Sequence, residues 1–155
     1  MSGSKKTNPK DAIGVSKVPM HLIPGSAKAY LAIAFLEGAL KYGKYNWRIA
    51  GVRTSIYLDA IERHYEKFKN GEDEDQVTKV PHLASIMACC AIILDANLVG
   101  KLNDDRPPRA PVSQLLDDLG DEIKHLQELF KDNSPHQYTL EDGSKTMAGP
   151  LGDHE

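Results

Sequence analysis

The chain has 155 residues and a formal net charge of −3, which fits one domain and argues against a protein that binds a nucleic acid polymer through a basic patch. Cys89 and Cys90 are adjacent in an apolar helical stretch and cannot form an ordinary disulfide there, so we expect a reducing compartment. The polar N-terminus lacks the apolar segment of a secretory signal and the apolar run 83–94 is too short to span a bilayer, so we expect a soluble, cytoplasmic protein without a membrane partner.

Residues 1–25 are rich in Lys, Pro and Gly and have no helical or strand period. They form either a disordered arm or an ordered N-terminal strap whose lysines, among them Lys17, reach a phosphate. Ser26 then follows as the predicted N-cap of the first long helix.

The first long helix is predicted from Ala27 to Tyr42, where Gly43 supplies the left-handed cap that only glycine adopts cheaply. Glu37 and Lys41 lie one turn apart on it and share a face. Asn46 and Trp47 follow on a short loop, where an amide and a stacking ring suit a flat, polar ligand. The plainer alternatives are a surface salt bridge and a core tryptophan.

A second helix is predicted from Thr54 or Ser55 to Lys69. One face is apolar, and the other carries Asp59, Glu62, Arg63 and Glu66 on a single stripe, which is either a solvated charged face or part of a site. His64 lies toward the apolar edge, where a half-buried structural histidine is expected. The acidic turn 70–76 is either a solvated loop or a source of carboxylates, including Asp75, for a hard cation.

A third helix is predicted from Thr78 to Val99, with Pro81 in its first turn. It is apolar nearly all round, which is typical of a buried central helix, so Asp95 on it must have a partner. After the charged connector 103–108, a fourth helix is predicted from Val112 to Lys131, with an apolar seam that packs on the third helix or on another subunit. Residues 132–155 are predicted to form a C-terminal tail.

No strand pattern competes, so the fold class predicted is all-α, a four-helix bundle over residues 26–131. Antiparallel packing would gather the acids and bases of the first three helices at one pole. A cluster of carboxylates with few bases is unfavourable unless cations bind, and Mg²⁺ or Mn²⁺ suits oxygen ligands best. The groups expected at that pole are Glu37, Lys41, Asp59, Glu62, Arg63 and Asp95, with Asn46, Trp47, Asp104, Asp105 and Arg106 above them, whereas His64, Glu72, Asp75 and His82 are expected nearer the other pole.

Such a bundle leaves apolar side chains of the first two helices without cover: Tyr30, Ile33, Leu36, Leu40 and Ile56. A symmetric partner is the simplest cover, so we expect a homo-oligomer, a dimer or tetramer. A second protomer would also bring its tail or its segment 104–106 near the acidic pole.

Short motifs spread over about residues 8 to 108 carry a resemblance to a known family. They are Asn8-Pro9-Lys10-Asp11, Lys17-Val18-Pro19, Lys41-Tyr42-Gly43, Asn46-Trp47-Arg48, Arg63-His64, His82-Leu83-Ala84, Leu94-Asp95-Ala96 and Asp104-Asp105-Arg106-Pro107. In this order they resemble the phage and bacterial dATP/dGTP diphosphohydrolases. That family is a divergent branch of the all-α pyrophosphohydrolases typified by MazG, and it includes MazZ proteins of phages that replace adenine by 2-aminoadenine.

The resemblance implies cleavage of a purine deoxynucleoside triphosphate between its α and β phosphates, with Mg²⁺ or Mn²⁺, in the host cytoplasm if the chain is of phage origin. The chain departs from the MazG metal signature, Glu-x-x-Glu followed by Glu-x-x-Asp. Glu37 is followed three residues later by Leu40, and the second helix offers Asp59-x-x-Glu62, with the acids reversed. Glu37 is therefore the best-supported metal ligand.

Two hypotheses follow. In the first, an enzyme holds its cations with Glu37, Asp59, Glu62, Asp95 and Asp75, and binds substrate with Lys17, Lys41, Asn46, Trp47, Arg63, Asp104 and Arg106. Glu37, Lys41, Asp59 and Glu62 would be its catalytic residues. In the second, the chain is a non-enzymatic helical interaction protein with an acidic surface.

Overall fold

The computed structural model describes residues 8–146, and these are predominantly helical. Residues 1–7 of the predicted strap and 147–155 of the predicted tail lie outside the described residues. The helices are α1 (Pro9–Gly14), α2 (Gly25–Tyr42), α3 (Trp47–Ala50), α4 (Thr54–Lys69), α5 (His82–Leu98), α6 (Val112–Leu129) and α7 (Leu140–Thr146), with a 3-10 turn at Met20–Leu22 and two short strands, β1 (Val52–Arg53) and β2 (Leu102–Asn103).

The chain divides into two compact units, one ending at Asp105 and one beginning at Arg106. In the first unit α2 and α4 pack against α5. Small side chains form the buried centre, where Ala34 of α2 meets Ala84 and Ala88 of α5 beside Val80. Alanine lets helix backbones approach closely, so this core is narrow and leaves larger side chains at its margins.

The strands β1 and β2 pair in parallel, with Val52 opposite Leu102. This pairing was not predicted, because two-residue strands have no readable alternation. Gly51 precedes β1 with φ of 78° and ψ of 172°, a conformation that is essentially restricted to glycine. A Cβ on this residue would lie 2.9 Å from the carbonyl oxygen of Lys101. The close approach brings the start of α4 beside the segment that follows α5.

Asp105 caps α4 from this neighbouring segment. Its carboxylate accepts bonds from the Ser55 backbone N–H at 2.8 Å and from the Ser55 hydroxyl at 2.6 Å. These bonds hold the pKa of Asp105 below its usual value. The prediction that Thr54 or Ser55 caps α4 with its own side chain is therefore wrong, because Arg53 occupies the N-cap position and the capping oxygen comes from Asp105.

The other helix ends differ from prediction mainly at N-termini. Pro24, not Ser26, occupies the N-cap position of α2. The third predicted helix, α5, begins at His82 rather than Thr78, because the preceding loop pairs with itself: Glu74 bridges to Pro81, and the His82 N–H donates to the Asp73 carbonyl at 3.0 Å. The predicted tail contains the short helix α7.

Three of the four predicted long helices, α2, α4 and α5, lie in the first unit, and the fourth, α6, belongs to the second unit. The prediction that α5 is buried all round is wrong for the single chain, in which Leu83, Leu94 and Leu98 are exposed. All five apolar side chains that were predicted to lack cover are exposed: Tyr30, Ile33, Leu36, Leu40 and Ile56. None of the described helices is long and apolar enough to cross a membrane.

Candidate active-site cleft

A cleft of about 1070 Å³ is lined by the second half of α2, the loop after it, and parts of α4 and α5. The predicted site residues along it are Glu37, Lys41, Asn46, Trp47, Arg63, Asp75 and Asp95. Lys17, Asp59, Glu62 and Asp104 are exposed and are not among its lining residues. Arg106 is the first residue of the second compact unit. The structure thus brings part of the predicted set together.

Glu37 and Lys41 enter the cleft from the last turns of α2. The Lys41 ammonium donates a hydrogen bond to the Glu37 carboxylate, and this bond raises the pKa of Lys41 above its usual value. The helix ends at Tyr42, and Gly43 after it has a positive φ of 89°, as predicted for this glycine. Both side chains keep access to solvent, with Glu37 the more covered of the two. The pair is an acid and a base that an incoming charged ligand can separate.

Trp47 forms an aromatic wall with two neighbours. Its ring centroid lies 5.6 Å from that of Phe35 on α2 and 5.4 Å from that of Tyr45, both at tilted angles. Tyr45 has a φ of 54°, so the loop between α2 and α3 turns sharply just before the wall. Trp47 is 8% exposed, which makes it a core residue and a lining residue at once. Asn46 lies beside it with an amide that donates and accepts.

Asp95 fixes this wall from α5. Its carboxylate accepts the Trp47 indole N–H at 2.6 Å and two N–H groups of Arg48, each at 2.8 Å. The hydrogen bonds from Arg48, and then from Trp47, lower the pKa of Asp95 to about 2. The prediction that Asp95 has a partner is confirmed. Its oxygens are engaged by these donors, which gives Asp95 a positioning role at the aromatic wall.

His64 and Asp75 line the same cleft as Glu37, so their predicted placement at an opposite pole is wrong. The loop before α5 folds back, and Asp75 Oδ1 holds it by accepting the backbone N–H groups of Val77 at 3.0 Å and Thr78 at 2.9 Å. These bonds lower the pKa of Asp75 to about 2. Burial, followed by the nearby His82, lowers the pKa of His64.

The predicted carboxylate cluster is not assembled. Among residues 8–146, no group of three or more His, Cys, Asp or Glu side chains is placed to hold a metal ion. Asp95 and Asp75 are held by the donors described above, and Asp59 and Glu62 lie outside the cleft lining. Asp59 and Glu62 are therefore not found beside Glu37 as predicted, whereas Asp95 does line the same cleft as Glu37. The individual ligand roles stay predictions.

Several lining residues of the cleft were not predicted from the sequence. Tyr45 and Lys44 lie in the loop beside Asn46, and Tyr57 lies on α4. The loop residues could have been included from their place next to Trp47. His64 was noted as a half-buried histidine, but its orientation depends on His82, eighteen residues away along the chain.

A family model for the N-terminal domain of dATP/dGTP diphosphohydrolases matches residues 7–106. No curated protein and no solved structure matches the chain. The match covers about two thirds of the sequence and ends within one residue of the boundary between the two compact units. It excludes the non-enzymatic alternative, since the family is one of hydrolases that act on nucleoside triphosphates. The chain belongs to the dATP/dGTP diphosphohydrolase family.

Proposed function

We propose that the chain hydrolyses dATP or dGTP between the α and β phosphates, giving the deoxynucleoside monophosphate and pyrophosphate. One observation carries the proposal: the family match, residues 7–106, contains every lining residue of the cleft, from Ala32 to Asp95. Ligand sites are commonly about 300–1,000 Å³, so a cleft of about 1070 Å³ accommodates a nucleoside triphosphate.

The aromatic wall is the proposed base subsite. Purines offer a flat face for stacking and a polar edge for hydrogen bonds. Tyr45 and Trp47 supply rings, and the Asn46 amide supplies a donor and an acceptor at the same end of the cleft. Asp95 supports the subsite indirectly by holding Trp47 and Arg48.

The basic side chains of the cleft are the proposed phosphate contacts. Lys41 and Lys44 come from the end of α2 and its loop, and Arg63 comes from α4. A guanidinium pairs with phosphate through two parallel hydrogen bonds, while an ammonium acts as a point charge. Lys17 lies on the exposed segment before α2, and we keep it as a proposed phosphate contact from the strap.

A divalent cation, Mg²⁺ or Mn²⁺, is part of the proposal. Mg²⁺ is often held by one or two carboxylates together with substrate phosphates and water. Glu37 fits that mode, because its carboxylate lines the cleft beside the proposed phosphate ligands. The ion would supply charge neutralisation at the phosphates. Asp59 and Glu62 are left out of the proposed ligand set because they are exposed outside the cleft.

A homo-oligomer is proposed as the active unit. The exposed apolar side chains of α2 and α4, including Leu36, Leu40 and Ile56, form the face that a second copy would cover. Asp104 and Arg106 of that copy are the proposed contributions to a shared nucleotide site. Light scattering at micromolar concentration should give a multiple of the monomer mass. A monomer that keeps full activity on dilution would contradict the oligomer and leave the hydrolase proposal intact.

The sequence resemblance to MazZ proteins extends the proposal to a role in a phage, where the monophosphate product would feed 2-aminoadenine nucleotide synthesis. Incubation with each of the four deoxynucleoside triphosphates and with ATP and GTP, in Mg²⁺, Mn²⁺ or a chelator, tests substrate and metal together. We expect monophosphate and pyrophosphate from dATP or dGTP, and none with the chelator. Equal rates on pyrimidine and purine substrates would contradict the proposed base subsite.

A further inference from the structure

Three side chains form a continuous hydrogen-bonded chain that ends in the cleft. Glu72 Oε1 lies 2.7 Å from His82 Nε2, and His82 Nδ1 lies 2.9 Å from His64 Nδ1. His82, the middle member, is 0% exposed, while His64 is half-buried and lines the cleft. Glu72 is further held by the Gln76 amide at 3.0 Å and by Lys67 at 3.7 Å. The outer carboxylate is therefore fixed, and it fixes the two rings in turn.

The contacts determine where the ring protons lie. An ionised carboxylate only accepts, so His82 Nε2 carries the proton that binds Glu72. With one proton on each ring, His82 Nδ1 then has a lone pair, and it accepts the proton on His64 Nδ1. His64 Nε2 is consequently left with a lone pair. The chain of bonds selects one tautomer of His64, the one whose remote nitrogen is a base.

That remote nitrogen is accessible. Within residues 8–146, no buried side-chain nitrogen or oxygen lacks a hydrogen-bond partner. Because His64 makes its hydrogen bond through Nδ1, its Nε2 is not sealed in the interior, and the residue lines the cleft. Glu37 and Asp75 lie near enough to influence the His64 ring electrostatically. The His64 ring therefore lies near Glu37, the proposed metal ligand beside the proposed phosphate contacts.

We propose that His64 is a catalytic residue whose Nε2 accepts a proton from the water that attacks the α-phosphorus, and that His82 and Glu72 are positioning residues. In this step the water O–H bond breaks and its proton goes to His64 Nε2. The water oxygen forms the new bond to the α-phosphorus, and the bond from that phosphorus to the bridging oxygen breaks, with its electron pair leaving on pyrophosphate. The positive charge gained by His64 is stabilised through His82 by the Glu72 carboxylate. This inference rests on the proposed function.

The kinetic test compares His64→Gln with His125→Gln, a control on the exposed surface of α6. General base catalysis contributes about 100- to 10,000-fold, so we expect kcat for pyrophosphate release to fall by about that factor in His64→Gln, with KM changed less than about threefold. Added imidazole should restore part of the activity of His64→Ala, and His125→Gln should match the wild type. Unchanged kcat in His64→Gln, or a higher metal requirement with unchanged kcat at saturating metal, would overturn the inference.

The deciding arm of the spectroscopic test uses the wild-type protein alone. Two-bond ¹H–¹⁵N correlation spectra of the wild-type protein show which nitrogen of each ring carries the proton. We expect a protonated Nδ1 and an unprotonated Nε2 on His64, and a mixture of tautomers in Glu72→Gln. A proton on Nε2 of wild-type His64 at neutral pH overturns the inference. The two ideas fail separately: a wild type that releases no pyrophosphate refutes the proposed function, whereas normal pyrophosphate release with an active His64→Gln refutes only the role of His64.

Discussion

Replacing Trp47 separates the two ways in which the aromatic wall is held. Trp47→Phe keeps a ring against Phe35 and Tyr45 but removes the N–H that binds Asp95 at 2.6 Å. A hydrogen bond to a charged group contributes about 1.5–3 kcal/mol. Because Arg48 continues to pair with Asp95 through two bonds, we expect the lower end, about 1.5 kcal/mol of lost unfolding free energy.

Trp47→Ala removes the ring as well. Truncating a buried tryptophan lowers the free energy of unfolding by about 3–5 kcal/mol. After subtracting about 1.5 kcal/mol for the lost hydrogen bond, the ring contacts of Trp47 account for about 1.5–3.5 kcal/mol. Since Trp47 is the only tryptophan, unfolding in urea is followed by far-ultraviolet circular dichroism rather than fluorescence. With a slope of about 1–3 kcal/mol per molar urea, Trp47→Phe should lower the midpoint by about 0.5–1.5 M.

The control for both variants is Tyr30→Phe, which changes an exposed ring on α2 and should stay within about 0.5 kcal/mol of the wild type. If Trp47→Phe equals the wild type, the bond to Asp95 contributes nothing to stability and does not fix the wall. If Trp47→Phe is as unstable as Trp47→Ala, the ring contacts contribute nothing. Either result would mean that only one of the two interactions holds Trp47 in place.

Glu37→Gln should keep the fold and lower hydrolysis at least a hundredfold, because the amide fills the same volume without the charge that is proposed to hold the cation. Glu66→Gln, at an exposed position of α4, is the control. Wild-type turnover in Glu37→Gln would remove Glu37 from the proposed site. Gly51→Ala should lower the free energy of unfolding, measured in urea, by about 1–3 kcal/mol, because the backbone conformation of Gly51 and the Lys101 carbonyl both oppose a Cβ. Gly25 has open space around it, so Gly25→Ala should not lower the free energy of unfolding in this way. Asp95 has a folded pKa of about 2 against about 3.9 unfolded, so its contribution is present above pH 4 and is lost as the pH falls through 2. The stability difference between the wild type and Asp95→Asn should therefore shrink between pH 5 and pH 2, and a constant difference would contradict the ion-pair account.

Local patterns were sufficient to locate the long helices. The apolar spacing and Gly43 gave the end of α2, and the ends predicted for α4 and α6 lie within two residues of those observed. The apolar character of α5 also showed that Asp95 must have a partner. Each of these inferences depends on residues within a few turns of one another.

The parts that sequence did not give depend on contacts between distant residues. Nothing near Ser55 indicates that its cap comes from Asp105, and nothing near Asp95 indicates Arg48. The placement of His64 and Asp75 failed for the same reason, because the loop before α5 folds back into the cleft. Residues can be assigned to one end of a bundle from sequence only if each loop stays at the end where its helices meet. The loop before α5 instead folds back toward the cleft.

Hydrolysis in this cleft is proposed to proceed by attack of water on the α-phosphorus of a purine deoxynucleotide. The most direct measurement is hydrolysis of dGTP and dATP in ¹⁸O-labelled water, with mass spectrometry of the separated products. We expect one labelled oxygen in the monophosphate and none in pyrophosphate. Label in pyrophosphate or free phosphate, or release of an unlabelled deoxynucleoside with triphosphate, would contradict it.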